Sequence, residues 1–347
     1  MVVSGSPSLK ANDIDRREAH QAVLSVIVVN WNAGQALATC LASLRRHPLS
    51  DGTMDVVVVD NASADDSVSR ARAAFPDAHY ILLTENTGFA SANNLALAAY
   101  ATGKYVLLLN PDTVVARGAL DRLVAELEED ETIGVAGGHL VSPDGESQLQ
   151  CARSDLSLRT VAYDLFGLRR LFPRSRIFGE YRMEYWDHGD TRDVPCVSGA
   201  CLLIRRQVVE EVGLLDESVP MYFEDIDYCY RARHAGWRVR YVSEARITHE
   251  GGHSANRSPR RTALFVMEEG DARWLFFRKH RGRLAACAAT LIIGLGSLWR
   301  IMLVCAGIVI VQLLGNPNRA FSLPTLRKYC ALFLWALSMP KPRITRL

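Results

Sequence analysis

The sequence predicts an α/β chain in which a parallel-stranded domain with helical crossovers is followed by a membrane-associated helical tail. Three observations predict it. Short β-branched runs at residues 24–29 and 54–59 each end in a polar residue, Asn30 and Asp60. Between them lies a segment, Gln35–Arg46, with Leu37, Cys40, Leu41 and Leu44 at helical spacing. Near the end of the chain, residues 284–314 are apolar except for small residues, Gln312 and Arg300. A mostly apolar run bounded by polar residues suits a strand covered on both faces, and the amphipathic segment supplies the cover.

The elements follow in order. After the second strand come a helix over 67–75, a short strand over 80–83 and an alanine-rich helix over 90–102, which Gly103 stops. Residues 105–109 form a third long strand that ends in Asn110-Pro111-Asp112. Beyond 133–138 the pattern loosens, and 142–193, rich in Arg, aromatics, Gly and Pro, reads as a variable surface or acceptor-facing insertion. Order returns with a strand over 197–204, a short helix from Arg206, a helix continuing over 228–235, and a strand over 238–242. Gly236 suits the C-cap between the last two.

Composition narrows the function classes. With 347 residues and 49% hydrophobic content, the chain can bury a large core without disulfides. A formal charge of +2 gives no global field for nucleic acid, so any ligand is held at a local site. Eight cysteines occur without a Cys-x-x-Cys pair, Cys196 and Cys201 being the nearest to a cluster, which suits buried thiols in a reducing compartment. Residues 1–22 read as a flexible N-terminus lacking the apolar centre of a secretory signal, so residues 23–277, the catalytic domain, are expected in the cytosol.

Ligands of open α/β sheets bind beyond the carboxyl ends of the strands, where Asn30, Asp60 and Asp112 all fall. Asp60 can accept a hydrogen bond from the ring N–H of uracil or thymine with Asn30 beside it, while Ser63 and Asp65 suit helix capping. Asn94, in the first turns of a helix, is positioned for ribose or diphosphate oxygens. Asp112 can bind Mg²⁺ or Mn²⁺ together with a diphosphate, the alternative being a plain Pro-Asp turn. Glu224, Asp225 and Asp227 form an acidic cluster that a helix dipole alone would favour. Asp225 is the candidate general base toward a hydroxyl nucleophile, with Glu224 next to it, whereas Asp227 suits a cap or a pair with Arg231. In Thr248-His249-Glu250-Gly251-Gly252-His253, His249 can complete a metal shell and His253 is the weaker candidate.

Taken in order, Ser25-Val26-Ile27-Val28-Val29-Asn30-Trp31-Asn32, Val59-Asp60-Asn61-Ala62-Ser63, Asn86-Thr87-Gly88-Phe89, Leu109-Asn110-Pro111-Asp112, Phe223-Glu224-Asp225-Ile226-Asp227 and Ile247-Thr248-His249 resemble family 2 glycosyltransferases. Within that family the chain looks most like bacterial rhamnosyltransferases of cell-wall and O-antigen assembly. The resemblance implies an A-type glycosyltransferase fold, with a Rossmann-like nucleotide-binding half and a mixed sheet. It further implies a nucleotide diphosphate sugar donor, dTDP-rhamnose by analogy, inversion at the anomeric carbon, a divalent metal, and a lipid-linked saccharide or glycan acceptor. Residue by residue it carries Asp60 as base-binding, Asp112 as metal-binding, Asp225 as general base and His249 as metal ligand. Asn110 stands where the family often has Asp. Two other readings share some features: a sugar-nucleotide pyrophosphorylase, which would want a glycine-rich loop that Asn30-Trp31-Asn32-Ala33-Gly34 does not supply, and an inactive membrane-bound carbohydrate-binding subunit.

Residues 278–347 make the tail. As one helix, 284–314 would be about 46 Å long, more than the ~30 Å hydrocarbon core needs. A single span would also put Arg300 near mid-membrane at a cost of about 2.5–3.5 kcal/mol and would carry the basic C-terminal flank across. The expectation is therefore either a hairpin turning near Arg300 or interfacial helices. Either one holds the enzyme at the cytoplasmic face of the inner membrane, against the membrane surface.

Overall fold

The computed structural model describes residues 22–219, 223–251, 259–313 and 323–338. The chain opens with β1 (Leu24–Asn30), α1 (Gln35–Arg46), β2 (Met54–Asp60), α2 (Ser67–Ala74), β3 (His79–Leu82), α3 (Phe89–Ala99) and β4 (Tyr105–Leu109). These four strands are parallel, and every residue of β1 and β4 is buried. Burial on both faces is why they read as unbroken apolar runs. The parallel register sets Asn30 directly beside Asp60.

The second half turns the sheet mixed. It contains β5 (Thr113–Val115), α4 (Ala119–Glu129), β6 (Ile133–Val141), β7 (Ala152–Arg153), α5 (Leu158–Leu165), α6 (Leu168–Leu171), β8 (Arg192–Asp193), β9 (Cys196–Val197), β10 (Cys201–Arg205), α7 (Arg206–Val212), α8 (Glu224–His234) and β11 (Arg238–His249). The large sheet runs β3-β2-β1-β4-β10-β6-β11-β5, with β8 added on β11. Strand β10 lies antiparallel to both β4 and β6, whereas β6 and β11 are parallel to each other.

Two expectations change here. The strand expected over 197–204 is broken at residues 198–200, because the Gly199 amide donates to Asp225 instead of to a ladder (2.9 Å). The strand expected to stop at Val242 passes through an irregularity before Arg246 and continues to His249, which delivers that histidine to the end of the sheet. Within the insertion over 142–193, Ser157 and Thr160 cap α5 reciprocally, satisfying amides that the helix leaves open.

The tail comprises α9 (Pro259–Leu313) and α10 (Leu323–Leu337). Within α9, residues 268–309 are long and apolar enough to cross a membrane by length and composition. The helix runs through Arg300 without interruption, so the hairpin turn expected there is not where the chain bends. The bend lies at Gly282, whose φ of 85° is a conformation that a side chain would strain. Its two arms both meet the end of α10, Gly270 facing Trp335 and Gly294 facing Ala336. Along the second arm, Ala286, Ala289, Ile293, Ser297 and Val304 are buried, while Leu284, Leu291, Leu295, Leu298 and Met302 are exposed. Arg300 donates to the carbonyls of Leu165 (2.7 Å) and Asp164 (3.0 Å), which ties this arm to the end of α5.

Candidate active site

At the carboxyl ends of β1 and β2, Asn30 Nδ2 donates to Asp60 Oδ1 (2.7 Å) and to Ser67 Oγ (2.8 Å). The Ser63 amide donates to Asp60 Oδ2 (3.1 Å). Each carboxylate oxygen of Asp60 thus carries one donor and keeps a further lone pair for a ligand N–H. Asn61, which the sequence reading left without a role, bridges this edge to the next turn: its Oδ1 accepts from the Thr87 amide (2.8 Å), and its Nδ2 donates to Asn86 Oδ1 (2.9 Å).

Beyond β4, the 110–112 turn meets the end of β11. His249 Nε2 lies 3.4 Å from Asp112 Oδ1 and 3.5 Å from Asn110 Nδ2. The other ring nitrogen, Nδ1, faces Gln148 Oε1 at 2.9 Å, and Gln148 Nε2 donates to the His249 carbonyl (2.6 Å). The backbone carbonyl can only accept, so the Gln148 amide has one orientation, and its oxygen requires a hydrogen on Nδ1 of the neutral ring. In that tautomer the Nε2 lone pair faces the Asn110 Nδ2 amide and the Asp112 carboxylate together.

A carboxylate and an imidazole side by side are residue types that fit a divalent cation, and Gln148 fixes the ring as outer partners of metal-bound histidines do. Among the described residues no group of three or more His, Cys, Asp or Glu side chains converges on one point. A metal here would therefore draw the rest of its shell from substrate oxygens and water, as Mg²⁺ sites on phosphates do. Cys40 lies behind the turn, near the Asn110 carbonyl and Thr113 Oγ1. Burial pushes its thiol up to about 12, so it is a packing residue and not a thiolate ligand.

The acidic cluster joins this centre through the broken strand. The Asn110 amide donates to the Ala200 carbonyl (3.0 Å), and the Gly199 amide donates to Asp225 Oδ2. Asp225 Oδ1 accepts from the Ile226 amide (2.8 Å), and Arg153 Nη1 stands 3.9 Å from Oδ2. The carboxylate is thus oriented by two amides and still has lone pairs for a proton. Neighbouring Glu224 turns back to accept from the Phe223 amide (2.9 Å). All three acidic residues lie in the first turn of α8, where the helix dipole favours them.

Asp227 faces the other way. It pairs with Arg231 as expected (2.7 Å), but also with Lys279 and His280 of α9, each at 2.7 Å. Burial alone would raise its carboxyl, but the hydrogen bonds from His280, Lys279 and Arg231 outweigh it and hold the group well below the ordinary carboxylate range.

Asn94 is not gathered with these groups. Its Nδ2 donates to the Leu215 carbonyl and to Glu217 Oε1, both at 2.9 Å, and its Oδ1 accepts from the Leu215 amide (3.0 Å). Both amide hydrogens hold the 215–217 segment, leaving one carbonyl lone pair. Met221, Tyr222 and the weaker candidate His253 lie outside the described residues.

Comparison with known proteins bears on the family and the fold. Residues 20–276 match the family described as glycosyltransferase like family 2. The chain is 29% identical over 247 residues to the N-acetylglucosaminyl-diphospho-decaprenol L-rhamnosyltransferase of Mycobacterium tuberculosis, covering 68% of this chain and 79% of the relative. It is 26% identical over 214 residues to the low-salt glycan biosynthesis hexosyltransferase Agl10 of Haloferax volcanii, covering 60% and 61%. In fold it is similar to a mannosyltransferase of Pyrobaculum calidifontis solved with GDP-Man and Mn²⁺, with a TM-score of 0.54 at 18% identity over 92% of this chain and 87% of that one. The pyrophosphorylase reading gives way to these likenesses. With the A-type glycosyltransferase fold and the family match together, the chain belongs to glycosyltransferase family 2 and is a glycosyltransferase.

Proposed function

We propose that the chain transfers a sugar, rhamnose from dTDP-rhamnose, with inversion to a lipid-linked saccharide or glycan at the cytoplasmic face of the inner membrane. The observation that carries the reading is that Asp112 with His249, and Asp225, meet across one pair of loops, linked by the Asn110–Ala200 and Gly199–Asp225 hydrogen bonds. Asp60, steadied by Asn30, accepts from the pyrimidine ring N–H of the donor. Asp112 and His249 would hold Mg²⁺ or Mn²⁺, which when bound neutralises the charge that grows on the departing diphosphate.

Asp225 takes the proton of the acceptor hydroxyl as its oxygen bonds to the anomeric carbon. The bond from that carbon to the diphosphate breaks on the opposite face, and its electron pair leaves with the nucleotide. The tail lies in the membrane interface with the exposed leucines of α9 toward lipid. The rhamnosyltransferase relative supports the sugar and the lipid-linked acceptor as the first pair to try.

The test incubates the purified chain with a panel of thymidine and uridine diphosphate sugars, with Mn²⁺ or with excess chelator. Slow hydrolysis of dTDP-rhamnose that requires metal, lost in Asp112→Ala, is the expected result. Full activity in chelator would sink the metal part of the proposal, and preference for a uridine diphosphate hexose would replace the donor.

A further inference from the structure

A cleft of about 370 Å³ lies where the 142–193 insertion meets the tail, walled by β7, α5, α6, α9 and α10. Its lining carries seven arginine and lysine side chains against two carboxylates, Asp164 and Glu269. In a chain whose formal charge is only +2, this is a local concentration of positive charge. Part of it is neutralised or pinned by the protein: Arg169 pairs with Asp164 and Glu184, Arg273 with Glu269, and Arg300 with backbone carbonyls. Of the rest, Arg153 stands within ion-pair reach of Asp225. Arg170, Arg182 and Lys328 have no ion pair among the described residues, and Arg273 Nε is buried with no hydrogen-bond partner. Converging cations with an unsatisfied buried donor are costly unless an anion offers several oxygens to them, and arginine forks match phosphate oxygens pairwise.

We propose that this cleft binds the diphosphate that tethers the acceptor saccharide to its lipid. The proposal rests on the transferase reading above and names the part of the acceptor that the chain grips. Position supports it twice. Arg153 and Phe223 line the cleft, Arg153 approaches Asp225 at 3.9 Å, and Phe223 directly precedes the helix that bears the base. A sugar attached to a diphosphate held here therefore presents its hydroxyls toward Asp225. On the other side, Leu165, Tyr329 and Leu332 form the apolar part of the wall. Beyond them α9 and α10 expose Leu298, Met302, Leu334 and Leu337, a path along which a prenyl chain leaves for the bilayer.

The experiment titrates the full-length chain in neutral detergent with farnesyl diphosphate, in excess chelator so that no metal–diphosphate complex forms at Asp112 and His249. Farnesol and phosphatidylglycerol are run beside it. Because no donor is present, the result does not depend on whether the chain transfers sugar, and donor hydrolysis is scored separately. Farnesyl diphosphate should bind, farnesol should not, and Arg182→Ala with Lys328→Ala should weaken binding by roughly 10²-fold through the loss of two charge-assisted contacts. Arg182→Lys with Lys328→Arg should restore most of it, which separates charge from folding, as does an unchanged melting temperature in the alanine pair. The proposal is overturned if the probe does not bind, if the alanine pair binds it as the parent does, or if phosphatidylglycerol displaces it at equal concentration, since the site would then hold any anionic headgroup.

Discussion

Gln148 is the residue whose removal tests the proposed metal centre most directly. Gln148→Ala deletes both the acceptor for His249 Nδ1 and the donor to the His249 carbonyl. The neutral ring is then free to carry its proton on Nε2, the nitrogen 3.4 Å from Asp112, and in that form it offers no lone pair to a cation. Loss of an outer partner of this kind costs about 10–100-fold in metal affinity, equal to about 1.4–2.7 kcal/mol. The assay is donor hydrolysis against buffered free Mn²⁺. The half-saturating metal concentration should rise by that factor, while the rate at saturating metal stays near that of the parent, because no group contacting the donor has been removed. Gln148→Glu should fall between the two, keeping an acceptor for Nδ1 but setting a carboxylate oxygen against the His249 carbonyl. An unchanged metal midpoint in Gln148→Ala would refute the tautomer argument. So would a lower saturated rate with an unmoved midpoint.

Two further outcomes follow from the acidic cluster. Asp225→Asn should lower turnover by roughly 10²–10⁴-fold with donor KM near normal, and Glu224→Gln should be milder, measured as initial rates with acceptor in excess. The reverse order would make Glu224 the base. For Asp227, whose carboxyl is held below its ordinary value, the stabilising contribution is fully present above the unfolded value near ~4 and is lost as pH falls through the folded value. Melting temperature should therefore drop as pH is lowered below about 4, and the drop should be shallower in Asp227→Asn. That variant should also be destabilised near neutrality by about 1–3 kcal/mol, since Arg231, Lys279 and His280 lose the buried carboxylate they share. Equal acid sensitivity in the two proteins would assign the loss elsewhere.

Legibility in the sequence followed the range of the interactions. The ends of β1, β2 and β4 were readable because a buried strand and the polar residue that ends it are adjacent in the chain, and parallel register does the rest. Asp227 with Arg231 was readable for the same reason, being one helical turn apart. The contacts that arm the site were not. Gln148 is 101 residues from His249 and sits in a loop with no periodicity. The strand break at Gly199 is caused by a carboxylate 26 residues away, so a run of apolar residues concealed it. Asn94 shows a structural duty that the sequence did not announce, since an amide in the first turns of a helix beside the expected nucleotide reads first as a ligand contact. Its partners are Leu215 and Glu217, distant in sequence, and they fill its hydrogens.

The first turn of α8 joins what the sequence presented as two separate subjects, the chemistry and the membrane tail. Residues two apart on an α-helix point about 200° apart around its axis. Asp225 accordingly reaches the 198–200 loop, which is bonded to the metal-side turn, while Asp227 reaches Lys279 and His280 just ahead of the bend at Gly282. Lys279 also pairs with Asp216, in the segment that Asn94 clamps, so the start of the tail is tied to the catalytic domain at two points. Farther along, Arg300 ties the second arm of α9 to α5. A helix pinned at both places cannot carry Arg300 to the middle of a bilayer without breaking those bonds. Under the proposed interfacial arrangement, the contacts that would set the tail's apolar face toward lipid are the same ones that hold the first turn of α8 in register with Asp112 and His249.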